Sequence, residues 1–204
     1  MSGSTTPDGD LPYGVLQSTP DGPRYTFDAG ALCLQFVVTG GEGERARWET
    51  LHAPADLQRW LRICPLALDD VVVADDDVVA ARRLREAVYQ VAVRLAHDEP
   101  VRAADIRAID DVAAAPPLVP VAGLDLQRGW GSPVTAAQAL STLARDAIDL
   151  FTGPQASRIR QCGGERCGIL FVDTSRPGKR RWCSMQRCGN LHKQRTFRTR
   201  TSPD

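Results

Sequence analysis

The sequence predicts a mainly α-helical protein with small β elements, an α+β fold made of a helical domain and a C-terminal zinc finger. Three observations lead to this prediction. Apolar residues recur at helical spacing between residues 54 and 152, whereas strand-like stretches are few and short. Four cysteines lie close together near the C-terminus with regular spacing. Gly153 and Pro154 interrupt the last helical pattern and are taken as the domain boundary.

The N-terminal part begins with a segment that shows no structural period. Residues 1–23 are rich in Ser, Thr, Pro, Gly and Asp, so they are predicted to form a flexible tail before a domain that spans residues 24–153. The short apolar run 32–38 predicts a buried strand, and residues 45–51 are expected to return as its hairpin partner. The glycine-rich stretch between them, residues 40–45, is interpreted as a turn, because no Lys-Ser/Thr follows as a phosphate loop requires.

Helical spacing starts at Pro54. Leu57, Trp60 and Leu61 predict a short helix that Pro65 ends. A longer helix is expected from about Asp76 to His97, with Asp75 as its N-cap. One face of that helix is apolar, and its arginines are expected to point outward; the apolar residues are Leu84, Val88, Val91 and Leu95, and the arginines are Arg82, Arg85 and Arg94.

Two more helices and a hairpin complete the predicted domain. A helix is expected from about Ala103 to Ala115, and a weak alternation over residues 118–130 predicts a hairpin. Ser132-Pro133 is interpreted as the N-cap and first turn of the last helix. The apolar face of that helix consists of Leu140, Leu143, Ala147, Ile148 and Phe151.

The composition excludes some classes of protein. The chain has 204 residues, 43% apolar and 25% charged, which is typical of a soluble globular protein. Its apolar runs are far shorter than the roughly 18–20 residues of a membrane span. The N-terminus lacks the features of a secretory signal, so a cytoplasmic protein is expected, with cysteines as thiols or metal ligands. Cys33 and Cys64 lie among apolar residues and are interpreted as small core side chains.

The formal net charge is zero, with 25 basic and 25 acidic side chains, but the two parts of the chain differ sharply. Residues 1–153 hold 13 arginines, no lysine and 22 acidic residues, a net charge of −9. Residues 154–204 hold 12 basic and three acidic residues, a net charge of +9. Four thiolates with one Zn²⁺ reduce this to about +7. The asymmetry indicates contact of the basic part with nucleic acid or a membrane surface.

The C-terminal cysteines form two pairs with the same internal spacing, C-x4-C, and 15 residues separate the pairs. This pattern predicts that one structural zinc ion is held by four thiolates, from Cys162, Cys167, Cys183 and Cys188. Catalytic zinc is not expected, because such a site has no open coordination position. Buried thiols or a redox pair are the alternatives to zinc. His192 could replace one ligand, but a solvent-facing histidine is the favoured interpretation.

The residues around the cysteines predict the shape of the finger. Residues 169–172 are strand-like, residues 175–178 suit a turn, and residues 180–183 are expected to return antiparallel. The second cysteine pair then leads into a helix from Gly189 to about Arg200. A turn, a hairpin and a helix around one zinc ion resemble a treble-clef finger. About 50 residues with few large apolar side chains bury little surface, so zinc is expected to supply the folding free energy. Trp182 is expected to cover the site.

The run C-GGER-C-GILFVDTSRPGKRRWCSMQRCGN, followed by the basic tail LHKQRTFRTR, carries a specific resemblance. It resembles the bacterial CGNR zinc-finger proteins with an N-terminal ABATE domain, over about residues 24–200. In the N-terminal part, LCLQFVVT is similar to the family's LDFVNT-type strand, and residues 84–87 fit the family pattern. The chain departs from that pattern in two places. Leu191 replaces the last Arg of CGNR, and Gln35 and Val38 occupy the acidic and Asn positions.

The resemblance implies a stress-induced transcription regulator that binds DNA through its finger. The residues support a double-stranded DNA partner independently, since basic side chains flank the ligands. Asn190, Gln194 and Arg198 recur on one helix face and could read bases, and a merely solvated role for Gln194 and Arg198 is the equal alternative. The predicted DNA-binding residues are Arg176, Lys179, Arg180, Arg181, Arg187, Asn190, Lys193, Gln194, Arg195, Arg198 and Arg200.

The acidic domain shows no catalytic constellation, so an enzyme is not expected: His52 and His97 have no Cys or Ser in a recognised arrangement. This domain is expected to sense an unknown small-molecule or protein effector, or to form a homodimer. The acidic domain could also fold back on the basic finger and compete with DNA. The alternative function is a protein-interaction or RNA-binding module in which zinc only shapes the surface.

Overall fold

The computed structural model describes residues 15–19, 22–165 and 167–194, and it confirms the predicted α+β class. Across these residues, five α-helices form the body and the strands pair only as two-stranded antiparallel sheets. Strands β1 (Val15–Thr19) and β2 (Gly22–Phe27) form the first pair. Regular structure therefore begins before residue 24, inside the predicted tail.

The prediction of a strand over residues 32–38 is wrong, because the run forms a short helix, α1 (Leu32–Val37). Residues 33–37 are all buried, so no solvent-facing side interrupts the run. The spacing of its apolar residues therefore cannot distinguish a buried helix from a buried strand. The Asp146 carboxylate accepts a hydrogen bond of 2.8 Å from the Cys33 backbone N–H. The expected hairpin partner is also wrong, since a 3-10 helix, Gly43–Trp48, follows instead.

Helices α2 (Pro54–Ile63) and α3 (Asp75–Ala96) match the predicted helices. The N-cap of α3 is Ala74 rather than Asp75, and the Asp77 carboxylate accepts from its N–H at 2.9 Å. Asp75, Asp76 and Asp77 all lie in the first turn, where negative charge stabilises the helix dipole. Helix α3 is central, because it packs against α1, α2, α4 and α5.

Helix α4 (Ala103–Ala113) and a hairpin of β3 (Pro120–Ala122) with β4 (Arg128–Trp130) agree with the predictions. Helix α5 (Ala136–Thr152) begins three residues later than expected. Its N-cap is Thr135, whose hydroxyl accepts from the Gln138 N–H at 3.2 Å. The side-chain oxygen of Gln138 accepts from the Thr135 N–H in return, which completes a capping box.

Arg85 does not point outward as predicted. Its side chain is only 2% exposed and forms an ion pair with Glu49 beneath the loop that follows α1. Arg82 is half-buried, and its Nε donates to the Leu51 carbonyl at 2.8 Å. A helix period identifies the buried face from apolar residues, so it places a buried arginine on the wrong side.

The chain enters the finger through a short 3-10 helix, Ala156–Arg158, and strand β5 (Ile159–Gln161), which pairs with β6 (Leu170–Val172). Both strands pack against α3, and the Val172 N–H donates to the Ala29 carbonyl at 2.8 Å. The β5–β6 hairpin is therefore continuous with the core of the helical body. Within the described ranges, no helix is long and apolar enough to cross a lipid bilayer.

Candidate metal centre and nucleic-acid interface

The first cysteine pair lies on the turn that connects β5 to β6. The Cys162 N–H donates to the Ile169 carbonyl at 2.8 Å, which closes the turn directly after the strand pair. The Cys167 N–H donates to the Gly164 carbonyl at 3.0 Å. A Cβ atom at Gly164 would lie 2.9 Å from the Cys188 Sγ, so only glycine lets the backbone approach the sulfurs.

The predicted partner of β6 is wrong. Residues 180–183 form no strand, and β6 pairs with β5 instead. The pattern around residue 181 resembled a returning strand, but only two hydrogen bonds between the described residues connect this segment to the turn: the Gly163 N–H donates to the Arg181 carbonyl at 2.9 Å, and the Cys183 N–H donates to the Cys162 sulfur at 3.3 Å. The finger therefore keeps a turn, a hairpin and a helix, with the first cysteine pair inside the hairpin rather than before it.

Asp173 fixes the loop that carries the second cysteine pair. This carboxylate is buried and accepts from the Ser175 N–H at 2.9 Å, the Ser175 hydroxyl at 2.6 Å and the Arg180 N–H at 2.9 Å. Burial alone would raise the pKa of Asp173, but these hydrogen bonds outweigh burial and lower it. The sequence interpretation missed this role. The Asp-x-Ser spacing, which is typical of an Asx turn, was a usable signal.

Arg180, a predicted DNA-binding residue, is engaged inside the finger. Its guanidinium lies 4.3 Å above the Phe171 ring, its Nε donates to the Trp182 carbonyl at 3.0 Å, and its Nη2 donates to the Cys183 carbonyl. A single side chain thus ties the β6 core to the backbone of a zinc ligand. Its cationic hydrogens are directed at these carbonyls.

The second cysteine pair begins the last described helix. Cys183 precedes a turn of π-helix, Met185–Gly189, that contains Cys188 and continues as helix through residues 190–194. We call residues 185–194 the finger helix. The Trp182 ring stands 4.8 Å from the exposed His192 ring. A Cβ atom at Gly163 would lie 3.4 Å from the same indole, so Trp182 packs against the turn that carries the first cysteine pair. That Trp182 covers the zinc site stays a prediction.

The four predicted metal ligands lie together, and all four are buried. Their sulfurs lie within 4.8 Å of one another; Cys167 and Cys183 Sγ are 3.6 Å apart, and Cys183 and Cys188 Sγ are 3.7 Å apart. Zn–S bonds of about 2.3 Å place the sulfurs of a tetrahedral site about 3.8 Å apart. The cluster therefore fits one zinc ion, and His192 is not needed as a ligand.

Repulsion among the four sulfurs in their thiolate form also favours a bound cation. Hydrogen bonds from neighbouring thiols lower the pKa of Cys162, whereas the hydrogen bonds shared among the sulfurs raise the pKa of Cys167 and Cys183. Four thiolates at this spacing repel one another, so only part of the cluster ionises on its own. Zn²⁺ supplies the charge that keeps all four cysteines deprotonated.

The remaining cysteines behave as predicted, since Cys33 and Cys64 are buried in the body and none of the six forms a disulfide. Burial raises the pKa of Cys33 well above its ordinary value and that of Cys64 to about 11. Both thiols therefore remain protonated at neutral pH, which suits small core side chains.

The predicted DNA-binding residues fall into three groups. Arg180 and Arg187 are half-buried. Arg195, Arg198 and Arg200 lie outside the described residues. The others are exposed, either on the loop between β6 and Cys183 or on the finger helix; they are Arg176, Lys179, Arg181, Asn190, Lys193 and Gln194. Leu191, which replaces the family's Arg, is 49% exposed.

A buried polar network in the body was not predicted. Arg85 Nη1 donates to Glu49 Oε1 at 2.8 Å and to the Thr39 hydroxyl at 3.1 Å, and Arg85 Nη2 donates to Glu49 Oε2. Arg45 pairs with Glu86 close by, under the same loop. Gln35, at one departure from the family pattern, is also buried. Each ion pair joins residues 36 or more positions apart, so no local pattern in the sequence signals this network.

The fold and the cluster define a class of protein in which a helical body precedes a four-cysteine zinc finger in one chain. Family models match both parts in that order. Residues 30–154 match the ABATE model, described as "Putative stress-induced transcription regulator", and residues 158–201 match the CGNR zinc finger. The chain belongs to the ABATE family and carries one structural zinc site. None of the curated proteins matches it.

Proposed function

We propose that this protein is a DNA-binding transcriptional regulator of the cytoplasm, not an enzyme, whose finger binds the phosphates of double-stranded DNA. The observation that carries the proposal is the exposure of Arg176, Lys179, Arg181 and Lys193 around a buried zinc cluster. Because residues 154–204 carry a strongly positive net charge, these exposed cations favour contact with the phosphates of a duplex.

A rigid loop supports the proposed contact. Asp173 and Arg180 fix the backbone on both sides of Lys179 and Arg181, so these two side chains project from an ordered loop. The loop and the start of the finger helix border a groove of about 550 Å³, in which Lys179 and Arg181 lie beside Trp182 and Met185. Phosphate binding to preorganised cations loses less side-chain entropy than binding to a mobile tail.

The finger helix is proposed to approach the bases. Asn190 and Gln194 are both exposed and are four residues apart, so they lie on one side of the helix. Amide side chains of this kind bind adenine through two hydrogen bonds in the major groove. Binding-site selection from random duplexes with the zinc-loaded protein tests this base-reading role. A selected consensus supports the role, and an unselective pool contradicts it.

The phosphate contacts are tested by the salt dependence of binding. Fluorescence anisotropy with a labelled duplex gives the dissociation constant of the zinc-loaded full chain between about 50 and 200 mM salt. With about four to six phosphate contacts, the logarithm of the association constant, the reciprocal of this dissociation constant, is expected to fall with the logarithm of the salt concentration with a slope of roughly −4 to −5. A slope near zero would exclude phosphate binding as the source of affinity.

A matched pair of variants locates the contact. Lys179→Ala with Arg181→Ala removes two exposed finger cations and is expected to make the slope about two units shallower, with weaker binding to every sequence. Arg107→Ala, an exposed cation on α4, is expected to change neither. Equal slopes for all three proteins would place the contact elsewhere.

Competition separates DNA binding from the other function that the fold allows. A duplex that contains the selected sequence should displace the labelled probe better than single-stranded RNA or nonspecific duplex. If RNA competes best, the finger is an RNA-binding module.

The helical body is proposed to sense an effector and to adjust the affinity of the finger. The body and the β5–β6 hairpin share one core, so a change in the body can reach the finger.

A further inference from the structure

The peptide group between Trp182 and Cys183 is hydrogen-bonded on both sides. Its N–H, which belongs to Cys183, donates to the Cys162 sulfur at 3.3 Å. Its carbonyl oxygen, which belongs to Trp182, accepts from Arg180 Nε at 3.0 Å. Cys162 is a ligand from the first cysteine pair and Cys183 is one from the second. One peptide group therefore lies between a guanidinium and a metal-binding sulfur of the other pair.

The geometry of the peptide group couples these two hydrogen bonds. A peptide group is planar, and its trans form directs the carbonyl oxygen and the N–H to opposite sides. The bond between Trp182 and Cys183 is trans, so a donor that holds the oxygen also fixes the direction of the N–H. A charged donor on the oxygen polarises the peptide group as well, which strengthens the hydrogen bond that its N–H donates.

The side chain of Arg180 is itself held in place. Its guanidinium carbon lies 4.3 Å from the centre of the ring of Phe171, which is fully buried in β6. Its backbone N–H donates to the buried Asp173 carboxylate at 2.9 Å, and its Nη2 donates to the Cys183 carbonyl. Arg180 is half-buried, and its orientation toward the second cysteine pair is set by the core of the finger.

Arg158 offers a comparison within the same loop. Its guanidinium is also half-buried and binds backbone carbonyls, those of Asp173 at 2.6 Å and of Ser175. These two carbonyls lie at the start of the loop, and neither belongs to a peptide group beside a cysteine. Both arginines fix the loop, but only the contacts of Arg180 continue to a metal ligand.

We propose that Arg180 is a positioning residue of the zinc site, which directs the N–H of the Trp182–Cys183 peptide group at the Cys162 sulfur. Four thiolates with one Zn²⁺ carry a net charge of −2, so a hydrogen bond to a sulfur and a cation nearby both stabilise the occupied site. Groups that orient metal ligands in this way raise metal affinity by about 10–100-fold. This role replaces the DNA contact that the sequence predicted for Arg180.

Competition between the full chain and a chromophoric zinc chelator tests the effect on affinity. Arg180→Met keeps an apolar stem over Phe171 and removes the donors, so it is expected to weaken zinc binding about 10–100-fold. Arg158→Met is the matched control, and it should weaken binding much less, since it loosens the loop without touching a ligand's peptide group. Equal affinities for wild type and Arg180→Met overturn the proposal. Equal losses in the two variants also overturn it, because the loss then comes from the loop alone.

Cobalt substitution tests whether the sulfur itself is affected. Co²⁺ bound to thiolates absorbs by charge transfer from sulfur to metal, and a hydrogen bond to the sulfur raises the energy of this transition. Arg180→Met loaded with Co²⁺ is therefore expected to absorb at longer wavelength than wild type, whereas Arg158→Met should absorb at the wild-type position. Arg180→Lys keeps a cation with fewer donors and should restore part of the affinity and of the band position. A charge-transfer band that does not move in Arg180→Met would mean that Arg180 acts only on the fold, and the proposed positioning would be wrong.

Discussion

The ion pair between Arg85 and Glu49 is expected to be a main determinant of stability in the body. Arg85 is 2% exposed, and the side chain of Glu49 is 15% exposed. Glu49 Oε1 also accepts from the Leu51 N–H at 2.9 Å, so the pair joins α3 to the loop that follows the 3-10 helix. Removing one member leaves the other charge buried without its partner, which costs about 3–5 kcal/mol.

We therefore expect Arg85→Met to lower the free energy of unfolding of the zinc-loaded protein by about 3–5 kcal/mol in urea titrations at pH 7. The corresponding decrease in Tm is about 6–20 °C for a chain of this size. Arg83→Met, at an exposed position on the same helix, is the control and should change stability by less than about 0.5 kcal/mol. A loss under about 1 kcal/mol for Arg85→Met would refute the reasoning.

The same pair predicts a dependence on pH. Burial raises the pKa of Glu49, but hydrogen bonds from Arg85 and Leu51 outweigh burial and lower it below the ordinary value of about 4.3. A lowered native pKa stabilises the fold at pH values above the unfolded pKa, and this stabilisation disappears as pH falls through the native pKa. The stability of wild type should therefore drop more steeply below about pH 4 than that of Glu49→Gln.

Three further predictions concern the finger and its contact with the body. Phe171 is fully buried beneath the Arg180 guanidinium, so Phe171→Ala should lower the free energy of unfolding by about 3–5 kcal/mol in the same titration. Gly30 has φ +77°, and a Cβ atom at this position would lie 2.9 Å from the Cβ of Val172. Gly30→Ala should therefore lower the free energy of unfolding by about 1–3 kcal/mol. Gly168→Ala is the control and should lower it clearly less, because Gly168 has φ +65° but no atom near its Cβ position. Cys183→Ser should bind less than one zinc per chain by elemental analysis, and a full equivalent would contradict the four-thiolate site.

Helices with one apolar and one polar face were predicted correctly from the sequence. The predictions failed where a segment is buried on all sides and where a buried residue is polar. Residues 33–37 are buried on every side, including the polar Gln35, so the order of polar and apolar residues carried no information and a strand was predicted for a helix. The position of Arg85 could not be predicted from helix spacing, because its burial depends on Glu49, which lies 36 residues away. Long-range partners of this kind leave no local signal in a single sequence.

The zinc site was predictable because its chemistry is local and specific. Two cysteine pairs of identical spacing are typical of a four-thiolate zinc site, and the structure brings their sulfurs within 4.8 Å. The route of the chain between the pairs was not predictable. Both residues 159–161 and residues 180–183 could pair with β6, and only the packing of β5 against α3 distinguishes them.

That packing changes how autoinhibition by the acidic body can be tested. Ile159, Leu170 and Val172 are buried against the helices, so deleting residues 1–153 would expose the core of the finger as well as remove the acidic charge. A loss of DNA binding after such a deletion would reflect unfolding. Substitutions that change charge and leave the core intact are the appropriate perturbation.

Asp98 is the best position for such a substitution, because it adjoins the contact between body and finger. His97 Nε2 and Gln161 Oε1 are 2.7 Å apart, and Gln161 directly precedes Cys162. Exposed charges are screened beyond about 10 Å, so a carboxylate at this junction acts on the finger more strongly than a distant one. If the body restrains DNA binding, Asp98→Asn should raise affinity by about twofold at low salt and lose the gain at high salt, whereas Asp110→Asn on α4 should not. Equal affinities for both variants at every salt concentration would mean that charge does not restrain the finger, and the shared β5–β6 core would remain as the connection between the two parts.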